Sequence, residues 1–409
     1  MALIVQKFGG SSVADPECIR RVAKRVAEGY DEGNDMVVVV SAMGDTTDHL
    51  IELAKELNER ASAREMDMLL STGEQQTISL LAMTLNAMGY KAVSYTGWQA
   101  GIVTEDVASK AKILSISPTR IEEKLKEKYI VIVAGFQGAT EEGEITTLGR
   151  GGSDTTAVAL ASALNADYCE IFTDVDGVYT TDPRMVPEAH KIDRISFDEM
   201  LELATMGAGV LHPRCVEVGK EFGTKIHVRS SFNHNPGTIV EALDGKTVEQ
   251  QMAVSGIAFD RNVAKISIFD VPDRPGSAAR IFDVLSSEHI NVDMIIQAGQ
   301  RRNENKISFT ISSDDLEKTK GLMEAMKWEF HAKDTEYIDN IAKVSIVGAG
   351  MITNPGVAAR MFDILAENGI NIQMIATSEI KVSCAIDEGD LEKAVKALHE
   401  GFGLSVKQD

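Results

Sequence analysis

Apolar residues recur along this chain in two rhythms. LIVQKF (3–8), MVVVVSAM (36–43), YIVIVAGF (129–136), YCEIF (168–172) and KIHVRSS (225–231) are short, largely apolar runs. Such valine- and isoleucine-rich runs are the mark of strands buried on both faces. IRRVAKRVAEGY (19–30) and VALASALNA (158–166) instead repeat apolar residues at helical spacing. Asp15-Pro16, just ahead of the first of these, reads as an N-cap followed by proline at the first helical position. The alternation predicts a parallel sheet with helices on both sides, with ligand-bearing loops at the strands' carboxyl ends. Lys7 with its glycines, Ser41 through Asp48, Gly135, Thr173-Asp174 and Arg229 all fall at that edge.

Beyond Pro236-Gly237 the rhythm changes, and the polar stretch 244–251 reads as a linker. An internal repeat follows. AKISIFDVPDRPGSAARIFDVLSSEHINVDMI (264–295) aligns with AKVSIVGAGMITNPGVAARMFDILAENGINIQMI (342–375), with Pro275-Gly276 on Pro355-Gly356 and Ile290-Asn291 on Ile370-Asn371. Each copy predicts strand, helix, strand, strand, helix, the ferredoxin-like order. DTEYIDN (334–340) supplies a last strand for the first copy. The second runs out of chain, and MAVSGIAF (252–259) is the spare strand that would complete it.

Composition narrows the class of function. A length of 409 residues predicts two to three domains, and a hydrophobic content of 44% is that of an ordinary globular chain. A net charge of -21 argues against nucleic acid or an anionic membrane as partner, so any phosphate site must be locally basic. Cys18, Cys169, Cys215 and Cys384 are widely spaced, which predicts neither a zinc site nor a disulfide framework. No basic-then-apolar leader and no membrane-length apolar run is present, which predicts a cytoplasmic protein.

Two glycine-rich stretches carry the candidate chemistry. TLGRGGSDTTA (147–157) places Arg150, Gly151, Gly152, Ser153 and Asp154 just before a helix, where free N–H groups attract anions. TDVDGVYTTDPR (173–184) follows a strand with Asp174, Asp176, Asp182 and Arg184, a set suited to a metal-bound polyphosphate. There is no GxxxxGK[ST] loop and no protein-kinase signature. GAGMIT (348–353) lacks the third glycine of a dinucleotide fingerprint and reads as a loop.

Together with KFGGSS (7–12), SAMGDTTD (41–48) and STGEQQT (71–77), these motifs closely resemble those of the aspartate kinases, in the same order and over the whole chain. The resemblance implies an α/β protein, with a three-layer parallel-sheet amino-acid-kinase (carbamate-kinase-like) domain over 1–249. Two ferredoxin-like βαββαβ ACT domains would follow at 264–340 and 341–409, the latter completed by 252–260. It also implies transfer of the γ-phosphate of ATP, with Mg2+, to the β-carboxylate of L-aspartate, as the entry to lysine, threonine and methionine biosynthesis. Feedback inhibition by lysine, threonine or both is implied as well.

The residues can be read against that chemistry. A carboxylate nucleophile is already ionised at neutral pH, so no general base is required, and positioning with charge neutralisation must supply the rate. The family's positions assign Lys7 and Asp154 to catalysis, with Asp154 orienting Lys7 and the magnesium shell or, alternatively, serving as an N-cap. Arg150 and Glu74 would hold the α-carboxylate and ammonium of aspartate, with Ser41, Thr47, Gly151 and Ser153 beside them. Glu74 follows a glycine and precedes a helix, where a first-turn carboxylate would equally serve the dipole. The nucleotide falls to Lys7, Phe8, Gly9, Gly10, Thr173, Asp174, Tyr179, Asp182, Arg184, Gly209 and Val210, with Lys225 near the adenine and metal ligands unassigned. Tyr179 would stack on the base or pack. Gly209 stands where many members of the family carry lysine, which leaves backbone contact alone, and His212 reads as structural.

In the repeats, Asp273, Gly276, Ala278 and Gln297, with Asn371 and Ile372 of the second copy, match the effector pocket. Such modules expose sheet edges and pair across chains, which implies a homodimer or higher oligomer. A glutamate or N-acetylglutamate kinase, and a catalytically dead amino-acid sensor, are the competing readings. Retention of Lys7, Arg150, Asp154 and Asp174 counts against the sensor.

Overall fold

The computed structural model describes residues 2–205, 210–243, 253–299, 304–330, 334–352 and 354–405. They fall into two compact units, one of 2–178, 191–205 and 210–243, the other of 179–190 and everything described from 253 onward.

The first unit is built on an eight-stranded sheet. Its order is Arg194–Ser196, Thr238–Glu241, Ile226–Ser230, Tyr168–Thr173, Leu3–Phe8, Asp35–Val40, Ile130–Ala134 and Ala92–Tyr95. All neighbours are parallel except Ile226–Ser230 with Thr238–Glu241. The valine runs explain the centre: Val37 to Val40 and Ile130 to Ala134 are fully buried, so both faces are covered. The helices Pro16–Asp31 and Ala63–Ala87 cover one face through Ile19, Val22, Val26, Ile78, Leu81 and Leu85, which pack against Met36, Val38, Val40, Ile130 and Ile132. The helix Gly152–Ala163 packs on the strands Leu3–Phe8, Asp35–Val40 and Tyr168–Thr173, backed by the helix Pro213–Phe222. The result is three layers. Asp15 caps the first helix by accepting from the Cys18 N–H at 2.8 Å, with Pro16 at its first turn, as the dipeptide predicts.

A second, four-stranded sheet was not predicted. It joins Ile113–Ile116, Ile102–Thr104, Gln137–Ala139 and Ile145–Thr147, strands of three or four residues that are too short for an alternation to show. Its last strand delivers the chain to the turn at Leu148–Gly151.

The second unit holds one antiparallel six-stranded sheet, ordered Ile295–Gly299, Glu304–Ile311, Gly256–Pro272, Asp334–Val347, Lys381–Asp387 and Met374–Thr377. Its two long central strands are shared by both repeats. Gly256 to Asp260 pair with Val347 to Lys343, whereas Lys265 to Phe269 pair with Ile338 to Asp334, with register shifts between. Each repeat adds two helices, Ser277–Ser287 with Leu316–Phe330 and Val357–Glu367 with Leu391–Gly401, over separate apolar clusters. These are two ferredoxin-like ACT folds. Ala349–Ile352, within GAGMIT, forms one 3-10 turn.

The segment 179–190 belongs to this second unit. Val186 and Ala189 are buried in the cluster of the second repeat, the Ile257 N–H donates to the Thr180 carbonyl at 2.7 Å, and Thr180 Oγ1 lies 2.9 Å from His399 Nε2. Residues 244–252, including the predicted linker, lie outside the described residues. Among the described residues no helix is long and apolar enough to cross a membrane.

Leu81→Ala removes a fully buried side chain that packs between helix and sheet. It should destabilise the first unit by about 2–5 kcal/mol, read as a lowered urea midpoint.

Candidate active site

Register sets the site before any side chain is considered. Phe8 is level with Val40 and with Phe172, so Gly9-Gly10, Ser41-Ala42 and Thr173-Asp174 leave three adjacent parallel strands at one edge. Phe8 and Phe172 stack with ring centroids 4.6 Å apart and close the floor beneath. Both are buried, so Phe8 offers its backbone rather than its ring. The Ser41 N–H donates to the Phe8 carbonyl and the Gly44 N–H to that of Gly10, each at 3.1 Å, which binds the two turns together.

Lys7 Nζ lies 2.6 Å from Asp154 Oδ1, and both side chains are mostly buried. Asp154 is the third residue of the helix Gly152–Ala163. The N-cap is Gly151, so the capping alternative for Asp154 is set aside. Gly151 has φ 70°, and a Cβ there would collide with the ring of His212. Both conditions demand glycine. His212 in turn caps the helix Pro213–Phe222, its Nδ1 accepting from the Arg214 N–H at 3.4 Å, and burial lowers its pKa. Arg150 is exposed one residue before Gly151 and forms no ion pair with a described residue. Ser153 is buried in the same first turn.

Glu74 does not precede a helix. It sits in the middle of the 25-residue helix Ala63–Ala87, so a dipole role is excluded. Gly73 lets that helix approach, since a Cβ there would stand 2.8 Å from Ala42 Cβ. Glu74 Oε1 then accepts from the Ala42 N–H at 3.1 Å, while its buried Oε2 has no hydrogen-bond partner among the described residues. Burial pushes the Glu74 carboxyl up to about 7. A carboxylate in that setting is poised to receive a cation. Ser41 and Thr47 are half-buried on the loop and helix facing this region.

Thr173 donates to Asp174 Oδ1 at 2.8 Å. Tyr179, Asp182 and Arg184 belong to the second unit. There Tyr179 packs against the second repeat's apolar cluster, and Arg184 grips both oxygens of Asp182, holding that carboxyl below its usual range. Val210 is half-buried, and Gly209 lies outside the described residues. Lys225 is ion-paired to Glu241 at 3.2 Å.

The effector candidates are surface features of the repeats. Asp273 accepts from Asn305 Nδ2 at 2.9 Å beside Gly276, the N-cap of the helix that carries Ala278. Gln297 is exposed on the edge strand Ile295–Gly299, and Asn371 and Ile372 precede the opposite edge strand. One link went unread in the sequence. Ser12 Oγ and Ser231 Oγ are 2.5 Å apart and the Ser231 N–H donates to the Thr173 carbonyl, which fastens the glycine turn to the neighbouring strand end. The paired serines of KFGGSS and KIHVRSS were its signal.

Three layers around a parallel sheet, with glycine turns and a buried lysine at one edge, describe an amino acid kinase. Residues 2–230 match the amino acid kinase family, and residues 269–324 and 344–402 match the ACT domain. An aspartokinase of Bacillus sp. (strain MGA3) is 56% identical over 405 residues, 99% of this chain and 98% of its own. Escherichia coli aspartokinase III in complex with aspartate and ADP superposes with a TM-score of 0.80 at 27% identity, over 98% of this chain and 99% of its own. Its complex with lysine and aspartate gives 0.77 at 28%, over the same shares. The chain belongs to the amino acid kinase family, among its aspartokinase members with paired ACT domains, and is a phosphotransferase.

Because Glu74 keeps its proton in the folded protein up to about pH 7 and loses it near 4.5 when unfolded, stability falls as pH rises across that window. Glu74→Gln should flatten this slope, removing a drop on the order of 3 kcal/mol, as read from urea midpoints at pH 5 and pH 8.

Proposed function

We propose that the enzyme transfers the γ-phosphate of ATP to the β-carboxylate of L-aspartate, giving 4-phospho-L-aspartate, the first step towards lysine, threonine and methionine. The observation that carries this reading is the buried Oε2 of Glu74, without a hydrogen-bond partner among the described residues, in the same unit as the exposed guanidinium of Arg150, which forms no ion pair with them. A buried acceptor and an exposed fork of donors suit an ammonium and an α-carboxylate. That the E. coli enzyme binds aspartate and ADP supports it.

In this reading Lys7 neutralises charge on the transferring phosphoryl group, assisted by N–H groups of Gly9 and Gly10 and of the helix start at Gly151 to Ser153. Asp154 keeps the Lys7 ammonium in place through their ion pair. Ser41 and Thr47 hydrogen-bond aspartate, while Phe8, Thr173 and Asp174 take the nucleotide. Asp154 and Asp174, carboxylates at the helix start and at the strand end, are the residues that would hold Mg2+ together with the phosphates. When bound, Mg2+ would supply charge neutralisation on the phosphates.

The catalytic domain is 1–249 and the ACT domains are 264–340 and 341–409 with 252–260. Lysine, threonine or both inhibit through Asp273, Gly276, Ala278 and Gln297, with Asn371 and Ile372 the second repeat's counterpart. The edge strands pair two chains into a homodimer or larger assembly in the cytoplasm. The lysine complex of the E. coli relative supports the regulatory part.

A coupled assay with aspartate, MgATP, lysine and threonine varied tests all of this. Turnover of aspartate over glutamate and N-acetylglutamate is expected, and no turnover would sink the reading. Lys7→Ala should lower kcat about a hundredfold or more with ATP still bound.

A further inference from the structure

The turn that carries Arg150 is held from both sides by two charged residues, Asp67 and Arg214. Asp67 is fully buried in the helix Ala63–Ala87. Its Oδ2 accepts from the Thr147 N–H at 2.9 Å and the Ser109 N–H at 2.8 Å, and its Oδ1 from the Thr147 hydroxyl at 2.7 Å. Ser109 is in the left-handed region at φ 68°, an unfavourable conformation for a residue with a Cβ that these bonds help to hold. On the other side, Arg214 donates through Nη1 to the Leu148 carbonyl at 2.5 Å and through Nη2 to the Ala111 carbonyl at 3.1 Å. The Ala111 N–H closes the frame on the Thr147 carbonyl at 3.0 Å. An anion thus grips the N–H side of Thr147 and a cation the carbonyl of the next residue, two positions before Arg150.

We propose that Asp67 and Arg214 are positioning residues that fix the 147–151 turn in advance, so that Arg150 meets the substrate α-carboxylate without a search. The proposal rests on the aspartate-kinase reading for the identity of that substrate. Neither residue touches the reacting atoms. Preorganisation of this kind lowers the cost of binding, so its loss falls on the affinity for the group Arg150 holds.

Asp67→Asn keeps the shape but removes the charge and replaces one of the two accepting oxygens with an NH2 group. Arg214→Lys keeps the charge but cannot span two carbonyls. Each should raise KM for aspartate about tenfold or more, leave KM for ATP within about twofold, and lower kcat less than KM rises. Amide hydrogen exchange on the full chain should show Ser109, Ala111 and Thr147 exchanging faster in the variants, with the strand Asp35–Val40 unchanged. Thr147→Val, which removes only the hydroxyl bond, should give a smaller change of the same kind and covers the case in which Asp67→Asn does not fold. Unchanged KM for aspartate in folded variants overturns the proposal, as does an equal loss in both KM values and kcat. The exchange arm needs no turnover. If the wild type fails to phosphorylate aspartate, the functional reading falls, while unchanged exchange at these amides sinks the clamp by itself.

Discussion

Two anions have to meet at this site, and their repulsion is the constraint from which the remaining arrangement follows. Unit charges about 4 Å apart at an effective dielectric near 20 oppose one another by about 4 kcal/mol. A protein with net charge -21 has no general surplus of positive potential to set against that. The compensation has to be local and fixed. At one edge, three parallel strands end, a helix begins at Gly152 and a lysine is tethered at 2.6 Å to Asp154. The Lys7–Asp154 pair keeps an ammonium where it would otherwise be free to extend into water.

The helix Ala63–Ala87 ties this edge to the interior. Its apolar face, through Ile78, Leu81 and Leu85, is part of the main core, and its polar positions Asp67 and Glu74 lie two turns apart. One carboxylate is satisfied by protein donors, and the other keeps an oxygen without a partner. Both oxygens of Asp67 are thus satisfied within the scaffold, whereas among the described residues Glu74 is satisfied at one oxygen only. Burial raises the proton affinity of the second, and an arriving ammonium would reverse that effect.

The regulatory half rests on another economy. Two strands each run through both repeats, so neither ferredoxin-like fold is covalently separate and the small cluster of Val263, Met294, Ile341 and Met374 joins them. The Asp273–Gly276 turn follows the carboxyl end of the strand Gly256–Pro272, near whose other end Ile257 bonds Thr180. The segment 179–190 is thus built into the second unit, although the chain on either side of it belongs to the first.

Much was legible in the residues alone. Valine and isoleucine runs determined the strands Asp35–Val40 and Ile130–Ala134, because a strand buried on both faces favours a continuous apolar run. Asp15-Pro16 determined a helix start, and the repeat with its spare strand determined paired ferredoxin-like modules. Motif order across the whole chain pointed to the family. The three- and four-residue strands of the small sheet were not legible, because so few residues carry no period. Nor was the setting of Glu74: the glycine before it signalled a close approach to Ala42, not the boundary of a helix, and only packing distinguishes the two. Gly151 shows the same division. The sequence could say that a flexible residue stood before a helix, but the need for glycine comes from His212, sixty-one positions away, because contacts of that range exist only once the layers have closed.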